Sequence, residues 1–316
     1  MIRRIISLKD GKQAGAAPAC AAAFGNFDGV HLGHRALLTE VVRISSESAG
    51  VLAPAVWTLR GFELGNGKKL TSFSEKCRLF KEAGIEYLFT DDYETVRNLS
   101  PNEFISDNVI VGMNCFHSVC GYNFSFGAGA SGDSDTMQKL MTASGRDSTV
   151  IPPYTVGGAV VSSTAIREQL AHGRTAEAAS MLGRPYSLFG VVIHGKALGR
   201  TLGFPTANIL PEKKFAVPEC GVYLTRTLVL DDSSSESGGF FSVTNVGTNP
   251  TVEGERRVKC ESYILDYTGD LYGKRIKIFF YEKLRDEKKF SGVQELSEAV
   301  RQNIEDCRKW SREFYS

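Results

Sequence analysis

The stretch GNFDGVHLGH at residues 25–34 constrains the fold of this chain more than any other. It follows the apolar run Ala21–Phe24, which predicts a buried strand, and precedes residues 36–42, whose apolar side chains recur on one face of a helix. The stretch is therefore predicted to be a strand-to-helix turn. Its three glycines let the backbone approach a ligand closely, and the free N–H groups at the start of the helix favour an anion. These features predict a site for a nucleoside triphosphate.

Two of the five histidines of the chain, His31 and His34, lie in this turn. Imidazole groups at such a place can neutralise the charge that grows on a phosphate oxygen during a reaction. Many glycine-rich turns bind nothing, and a lone histidine in one is more often structural. The pair of histidines, in a strand–turn–helix context, favours a catalytic nucleotide site.

Short apolar runs and helical patterns alternate through the rest of the first half. A helix is predicted over residues 74–83 with Ser74 as its N-cap, and a capping box at Ser100–Glu103 predicts the start of another. Strands are predicted at residues 51–58, 85–90, 109–111 and 116–119. The alternation favours an α/β domain, a parallel sheet with helices on both faces, which binds ligands beyond the carboxyl ends of its strands. The histidine turn lies at such an end.

Near residue 185 the pattern changes to short strands separated by turn residues, which predicts two domains, 1–184 and 185–316. The strands favour a small antiparallel β-barrel, and the apolar stripe of a last helix over 292–310 is predicted to pack on it. Residues 245–251 are predicted to form a turn. The predicted strands cover residues 191–193, 222–230, 240–243, 258–267 and 276–281.

A second glycine-rich stretch, residues 190–208, opens this second half. Its glycines can wrap a phosphate with backbone N–H groups while Lys196 offsets charge. Thr206 and Asn208, two residues apart on an extended chain, face the same side and present neutral oxygens suited to Mg²⁺ held jointly with phosphates. A glycine-rich hairpin that binds nothing explains the loop alone, but not the whole stretch.

Both stretches resemble one family. The pattern Gly-x-Phe-Asp-Gly-x-His-x-Gly-His resembles the adenylyltransferase module of prokaryotic bifunctional riboflavin kinase/FMN adenylyltransferases, also called FAD synthetases. The run Gly-Phe-Pro-Thr-Ala-Asn at residues 203–208 is similar to the signature of riboflavin kinases. The resemblance implies a Rossmann-like nucleotidylyltransferase domain followed by a riboflavin kinase barrel. It further implies that the barrel makes FMN from riboflavin and ATP, and that the first domain transfers AMP from ATP to FMN, giving FAD and pyrophosphate.

The resemblance implies roles for individual residues of the first domain. His31 and His34 would stabilise charge at the α-phosphate, and Asn123 would contact the phosphates. Ser163 and Arg167 would hold the leaving pyrophosphate, a task that suits a guanidinium because of its fixed fork of donors. The remaining nucleotide-binding residues would be Gly25, Asn26, Phe27 and Asp28.

In the second domain the resemblance makes Glu261 the general base that takes a proton from the ribityl 5′-hydroxyl of riboflavin. Thr206 and Asn208 would hold magnesium, and Arg285 would contact the flavin. ATP would be bound by Gly195, Lys196, Gly203, Phe204 and Pro205.

The chain departs from the family pattern at several positions, and these leave alternatives open. Residues 57–62 replace a Thr-Phe-x-Pro-His-Pro run, while Ser125, Ala130 and Ala165 stand where many relatives carry basic residues. One alternative is a riboflavin kinase whose adenylyltransferase is weakened or lost. Another is a sensor that binds flavin or nucleotide without catalysis.

Charge and cysteine usage restrict the partners of this chain. A net charge of +1 gives no reason to expect a nucleic acid partner, and no run approaches the length of a membrane span. Seven cysteines without a Cys-x-x-Cys pair predict reduced thiols in a cytoplasmic protein. The expected partners are therefore the small molecules riboflavin, FMN and ATP.

Overall fold

The computed structural model describes residues 2, 4–8, 17–60, 67–194, 204–230, 239–250 and 256–314. It divides into two compact units, residues 1–163 and 164–316. The domain boundary predicted after residue 184 lies two helices further along the chain, and it stays a prediction.

Within the described part of the first unit, six parallel strands form one sheet in the order β1-β4-β3-β2-β5-β8. The strands of the unit are β1 (Arg4–Ser7), β2 (Cys20–Phe24), β3 (Ala53–Arg60), β4 (Tyr87–Asp92), β5 (Cys115–Gly121), β6 (Ser125–Phe126), β7 (Gly132–Asp133), β8 (Asp147–Ile151), β9 (Thr155–Val156) and β10 (Ala159–Val160). Its helices are α1 (Leu32–Glu47), α2 (Phe73–Glu82), α3 (Tyr93–Val96), α4 (Pro101–Glu103), a π-helix (Phe104–Gly112), a 3₁₀ turn (Ala128–Ala130) and α5 (Ser134–Ala143).

Helices cover both faces of this sheet, which confirms the predicted α/β architecture. Strand β2 is buried along its whole length, so its side chains alternate between two apolar layers. Ala21 and Ala23 lie in a layer with residues of α1 and α2, while Ala22 and Phe24 lie in a layer with residues of the π-helix and α5. The small side chains of β2 let the helices pack close to the centre of the sheet.

Two local predictions were wrong in this unit. The N-cap of α2 is Ser72, whose hydroxyl accepts the N–H of Glu75 at 3.2 Å, and not Ser74. Residues 109–111 lie in the π-helix rather than in a strand. Val109 is buried and Val111 is 58% exposed; so short an apolar run does not distinguish a helix from a strand. The capping box of Ser100 and Glu103 is confirmed.

The second unit contains an antiparallel sheet whose six described strands follow the order β11-β16-β13-β14-β15-β12. Its elements are α6 (Ser163–Ala171, which begins at the last residue of the first unit), α7 (Thr175–Leu182), β11 (Tyr186–Val191), β12 (Thr206–Ile209), β13 (Gly221–Leu230), β14 (Phe240–Pro250), β15 (Arg256–Ile264), β16 (Arg275–Arg285) and α8 (Val293–Glu313).

The two edges of this sheet approach each other, as expected of a small barrel. The N–H of Ile193 donates to the carbonyl of Asn208 at 2.9 Å, and Gly190 lies so close to Ile209 that a β-carbon at Gly190 would overlap its side chain. Part of the barrel interior is polar, because buried hydroxyls on β13, β14 and β15 bond to one another. These hydroxyls belong to Thr225, Thr227, Ser242, Thr244 and Ser262.

The turn predicted at residues 245–251 was wrong up to Pro250, because β14 pairs with β15 as far as that residue. Proline is tolerated there at the end of the strand. Residue 251 lies outside the described residues. Helix α8 packs on the sheet through Cys307 and Trp310, whereas Val293 at its start is exposed. Within the described chain, every helix is too short or too polar to span a bilayer.

The observed cap of α2 gives a stability prediction. Ser72→Ala should lower the free energy of unfolding of the first unit by about 1 kcal/mol, because it removes the acceptor for the N–H of Glu75. Ser74→Ala is the matched control and should change it by less than about 0.5 kcal/mol. The chain has two tryptophans, so urea unfolding followed by Trp57 fluorescence in a Trp310→Phe background reports on this unit. Equal effects of the two substitutions would contradict the assignment.

Candidate active sites

The histidine turn joins the carboxyl end of β2 to the start of α1, as predicted, and its backbone is strained. Phe27 and Val30 have φ angles of 52° and 41°, in the left-handed region that side chains disfavour. A β-branched residue is especially unusual there, and strain of this kind clusters at functional sites. The Phe27 ring is fully buried and packs edge-on against Phe80 at 5.3 Å between centroids. The turn is therefore held in one conformation by the core beneath it.

The two histidines are stacked on each other at the N-terminus of α1. Their ring centroids are 3.6 Å apart with 13° between the planes, and His31 Nδ1 accepts the backbone N–H of His34 at 3.2 Å. In neutral His31 this bond places the ring proton on Nε2. His31 is 6% exposed, while His34 is more accessible and lies against Phe27. The structure thus brings both predicted catalytic imidazoles to one helix terminus.

Asp28 fastens the turn to the segment that precedes α2. Its carboxylate accepts the backbone N–H groups of Leu70, at 3.0 and 3.1 Å, and of Thr71, at 3.2 Å. Its carbonyl oxygen accepts the hydroxyl of Ser163 at 2.7 Å. These contacts position the turn. Nucleotide binding by Asp28 and Ser163 stays a prediction, as does phosphate binding by Arg167, one helical turn further along α6.

A residue that the sequence analysis missed, Lys76, contacts the same turn. Its Nζ donates to the carbonyl oxygen of Asn26 at 2.5 Å and lies 3.4 Å from Asn26 Oδ1. The carbonyl also accepts the Thr58 hydroxyl at 3.2 Å. Lys76 is 7% exposed, and burial lowers its pKa to about 8. Helical spacing could have indicated that Lys76 is buried, because it lies three and four residues before the buried Leu79 and Phe80.

Asn123 lies at the same edge of the sheet as the histidines. Strands β2 and β5 are parallel neighbours, with Phe24 paired to Cys120, so Gly25 and Gly121 lie at adjacent strand ends. Asn123 is exposed in the loop that follows. Parallel sheets bind ligands at this edge. The geometry is compatible with the predicted contact between Asn123 and phosphate. Gly25, whose backbone was predicted to approach the nucleotide, lies at the same edge.

Trp57, the first residue of the run that departs from the family pattern, is part of the core. Its Nε1 donates to Asp91 Oδ2 at 2.7 Å, and the amide nitrogen of Asn108 donates to the same oxygen at 3.1 Å. Burial raises the pKa of Asp91, although both hydrogen bonds favour its charged form. Residues 61–62 of the run lie outside the described residues. Ser125 and Ala130 are exposed and bring no charge to their loop.

In the second unit, three predicted site residues share one face of the barrel sheet. Asn208 and Glu261 are paired across β12 and β15, and Asn245 is paired with Glu261 on its other side. Directly opposed residues share a face, and so do residues two apart on a strand, so Thr206 lies on this face too. Ser262, next to Glu261, belongs to the buried hydroxyls. The predicted site therefore lies on the outer face of the barrel.

The polar contacts at this face involve Glu261 and Asn208. Glu261 forms an ion pair with Lys259 at 2.5 Å. The amide nitrogen of Asn208 donates to the Thr206 carbonyl at 3.1 Å, so the amide oxygen is the atom that remains for a ligand. A hydroxyl, an amide oxygen and a nearby carboxylate are donors that suit a hard cation such as Mg²⁺. The residues present therefore fit this ion.

The other predicted residues of the second unit lie close by in sequence or outside the described part. Phe204 packs against Tyr263 with 6.0 Å between ring centroids, and Pro205 is exposed. Gly195, Lys196 and Gly203 lie outside the described residues.

Arg285, the predicted flavin contact, connects the end of β16 to α8. Its Nε donates to Asn303 Oδ1 at 3.2 Å, and its guanidinium lies 5.7 Å from the Phe290 ring centroid. Partial burial lowers the pKa of Arg285. Its contact with flavin stays a prediction.

Two family models match the chain. The first is described as FAD synthetase and matches residues 14–165; the second is described as riboflavin kinase and matches residues 182–311. Residues 166–181, which contain most of α6 and α7, lie between the two matches.

Relatives span nearly the whole chain. A bifunctional riboflavin kinase/FMN adenylyltransferase of Escherichia coli (strain K12) is 35% identical over 305 residues, which cover 95% of this chain and 94% of that protein. The enzyme of the same description from Bacillus subtilis is 33% identical, covering 90% of each. A crystal structure from Streptococcus pneumoniae, described as a macrolide-efflux protein, superposes with a TM-score of 0.86 at 26% identity, covering 98% of this chain and 100% of that one.

The contacts of Asp28 give a second stability prediction. Asp28→Ala should lower the free energy of unfolding of the first unit by about 3 kcal/mol, because buried N–H groups of Leu70 and Thr71 lose their acceptor. Asp135→Ala, at an exposed position in α5, should change it by less than about 0.5 kcal/mol. Urea unfolding followed by Trp57 fluorescence measures both. A loss at Asp28 no larger than at Asp135 would show that these hydrogen bonds do not hold the turn.

Proposed function

The chain belongs to the bifunctional riboflavin kinase/FMN adenylyltransferase family, and we propose that the two sites described above perform its two reactions. The chain is an enzyme that phosphorylates riboflavin to FMN with ATP, and then transfers AMP from ATP to FMN to give FAD and pyrophosphate. The match to the FAD synthetase model covers the histidine turn, and the match to the riboflavin kinase model covers the site around Glu261. The succession of matches supports one reaction in each unit.

The observation that carries the first assignment is the stacked pair His31 and His34 at the start of α1. In adenylyl transfer a phosphate oxygen of FMN attacks the α-phosphorus of ATP, and the bond from that phosphorus to the pyrophosphate oxygen breaks. Negative charge increases on the oxygens around the α-phosphorus. Imidazole N–H groups and helix N–H groups aimed at those oxygens stabilise the transition state without a covalent intermediate.

Asn123 supports this assignment from the neighbouring strand end. Its exposed amide can position a phosphate at the edge of the sheet where the histidines lie. The hydroxyl of Ser163 donates to the Asp28 carbonyl and so helps to hold the turn. Ser163 would therefore have two roles, fixing the site and binding the pyrophosphate.

The observation that carries the second assignment is the row Asn208–Glu261–Asn245 across three strands. Glu261, as general base, takes the proton of the ribityl hydroxyl while that oxygen attacks the γ-phosphorus of ATP and ADP leaves. The ion pair with Lys259 orients the carboxylate. Thr206 and Asn208 would hold Mg²⁺, which supplies positive charge to the phosphates.

The loop beside the first site supports a second, narrower candidate function. Ser125 and Ala130 leave the loop beside the first site without positive charge, which favours a kinase with a weakened adenylyltransferase as the second candidate.

All seven cysteines are free thiols, which supports a cytoplasmic location for either enzyme.

Chromatography of the products from riboflavin, ATP and Mg²⁺ tests the two assignments together. His31→Ala should lower FAD formation by about 100-fold or more and leave FMN formation within about twofold, because only the first site loses a stabilising group. Glu261→Ala should lower FMN formation by about 100-fold or more and spare FAD made from supplied FMN.

Two exposed residues provide matched controls, His172→Ala and Glu282→Ala, and both should leave each reaction within about twofold of the wild type. FMN without FAD from the wild-type chain would favour the second candidate. Loss of both reactions in either single variant would contradict the separation into two sites.

A further inference from the structure

Lys76 is a buried cation whose hydrogen-bond partner is neutral. It lies in the first half of α2, and its ammonium donates to the carbonyl oxygen of Asn26 at 2.5 Å, with Asn26 Oδ1 at 3.4 Å. Both of these oxygens belong to amide groups of one residue, and that residue lies in the histidine turn. Buried charges are ordinarily paired with an opposite charge, because burial costs them their hydration. A lysine in this position therefore needs an explanation beyond packing.

The carbonyl that Lys76 holds belongs to the peptide group immediately before the strained part of the turn. That peptide joins Asn26 to Phe27, whose φ is 52°. The hydroxyl of Thr58 donates to the same carbonyl at 3.2 Å. One neutral donor already satisfies the carbonyl, so the structural need for a hydrogen bond does not by itself require a charged group.

We propose that Lys76 is a positioning residue for adenylyl transfer: its ammonium fixes the Asn26–Phe27 peptide so that the turn presents its N–H groups to the phosphates of ATP, and it supplies positive charge from beneath the turn. The inference rests on the proposed function of the first unit. A charge below the surface acts over a poorly screened path, so it lowers the energy of the phosphates more than an exposed charge at equal distance.

The environment of Lys76 makes its charge dependent on pH within a measurable range. Burial lowers its pKa to about 8, Asp28 in the turn opposes this shift, and Lys69 ahead of α2 adds to it. Cys77 on the same helix also opposes the shift, and Arg60 at the end of β3 acts on Cys77. The protonated form is the active one, so its contribution is present below about pH 8 and is lost as pH rises through that value.

Steady-state kinetics of FAD formation from supplied FMN and ATP, measured between pH 6 and pH 10, tests the inference. Lys76→Met removes the charge and keeps an unbranched side chain. It should lower kcat at pH 7 by about 30-fold or more, with a smaller change in KM for FMN. Lys76→Arg keeps the charge and should recover at least about a third of kcat, with its alkaline decline moved to higher pH.

Two controls separate this role from a loss of structure. Lys81→Met removes an exposed lysine from the same helix and should leave kcat within about twofold of the wild type. Riboflavin phosphorylation by the same Lys76→Met protein should be unchanged, because it occurs in the other unit. If Lys76→Met does not fold, the decision passes to Lys76→Arg and the wild type. A decline at the same pH in both would then overturn the inference, and a shifted decline would support it.

Other outcomes also decide the matter. Lys76→Met with kcat within about twofold of the wild type would overturn the inference while leaving the proposed function intact. A residual activity of Lys76→Met that still declines near pH 8 would overturn it as well. A wild-type chain that makes no FAD under any of these conditions would instead remove the proposed function, and this inference with it.

Discussion

The proposed adenylyltransferase site depends on hydrogen bonds that reach the histidine turn from outside it. Two of its residues, Phe27 and Val30, have backbone angles that each cost about 1–3 kcal/mol unless the surroundings enforce them. The carboxylate of Asp28 and the ammonium of Lys76 supply charged hydrogen bonds, which contribute about 1.5–3 kcal/mol each. The two sums are of similar size, so contacts of this kind are sufficient to keep the N–H groups and imidazoles in one arrangement.

The second site is positioned by strand register rather than by a strained turn. Asn208, Glu261 and Asn245 are side by side because three neighbouring strands pair at these residues. A shift of the pairing by one residue would turn Glu261 into the barrel and bring Ser262 out. The buried hydroxyls around Ser262 bond only when they face inward together, so the polar interior of the barrel also fixes the position of Glu261, the proposed base, on its outer face.

Sequence patterns predicted the features that depend on neighbouring residues and missed those that depend on distant ones. The histidine turn, the capping box at Ser100 and the parallel sheet follow from local composition and spacing, and the structure confirms them. The partnership of Asn245 with Glu261 was missed because the composition of residues 245–251 is typical of a turn, whereas pairing with β15 extends the strand. Lys76 was missed because its partner, Asn26, lies 50 residues away.

The basic residues that are missing from the family pattern do not by themselves show how much positive charge the first site has lost. Ser125 and Ala130 are exposed, so a basic residue at either position would be surrounded by water and salt, which largely screen its attraction to any phosphate farther away than about 10 Å. Lys76 lies under the turn, where screening is weaker and where the charge is fixed by contact with Asn26. In the role proposed for Lys76, one buried cation compensates for part of what two exposed ones would provide. Trp57 also departs from the family pattern, but its indole is buried in the core and donates a hydrogen bond to Asp91. This departure therefore changes the packing of the core rather than a surface that faces a substrate.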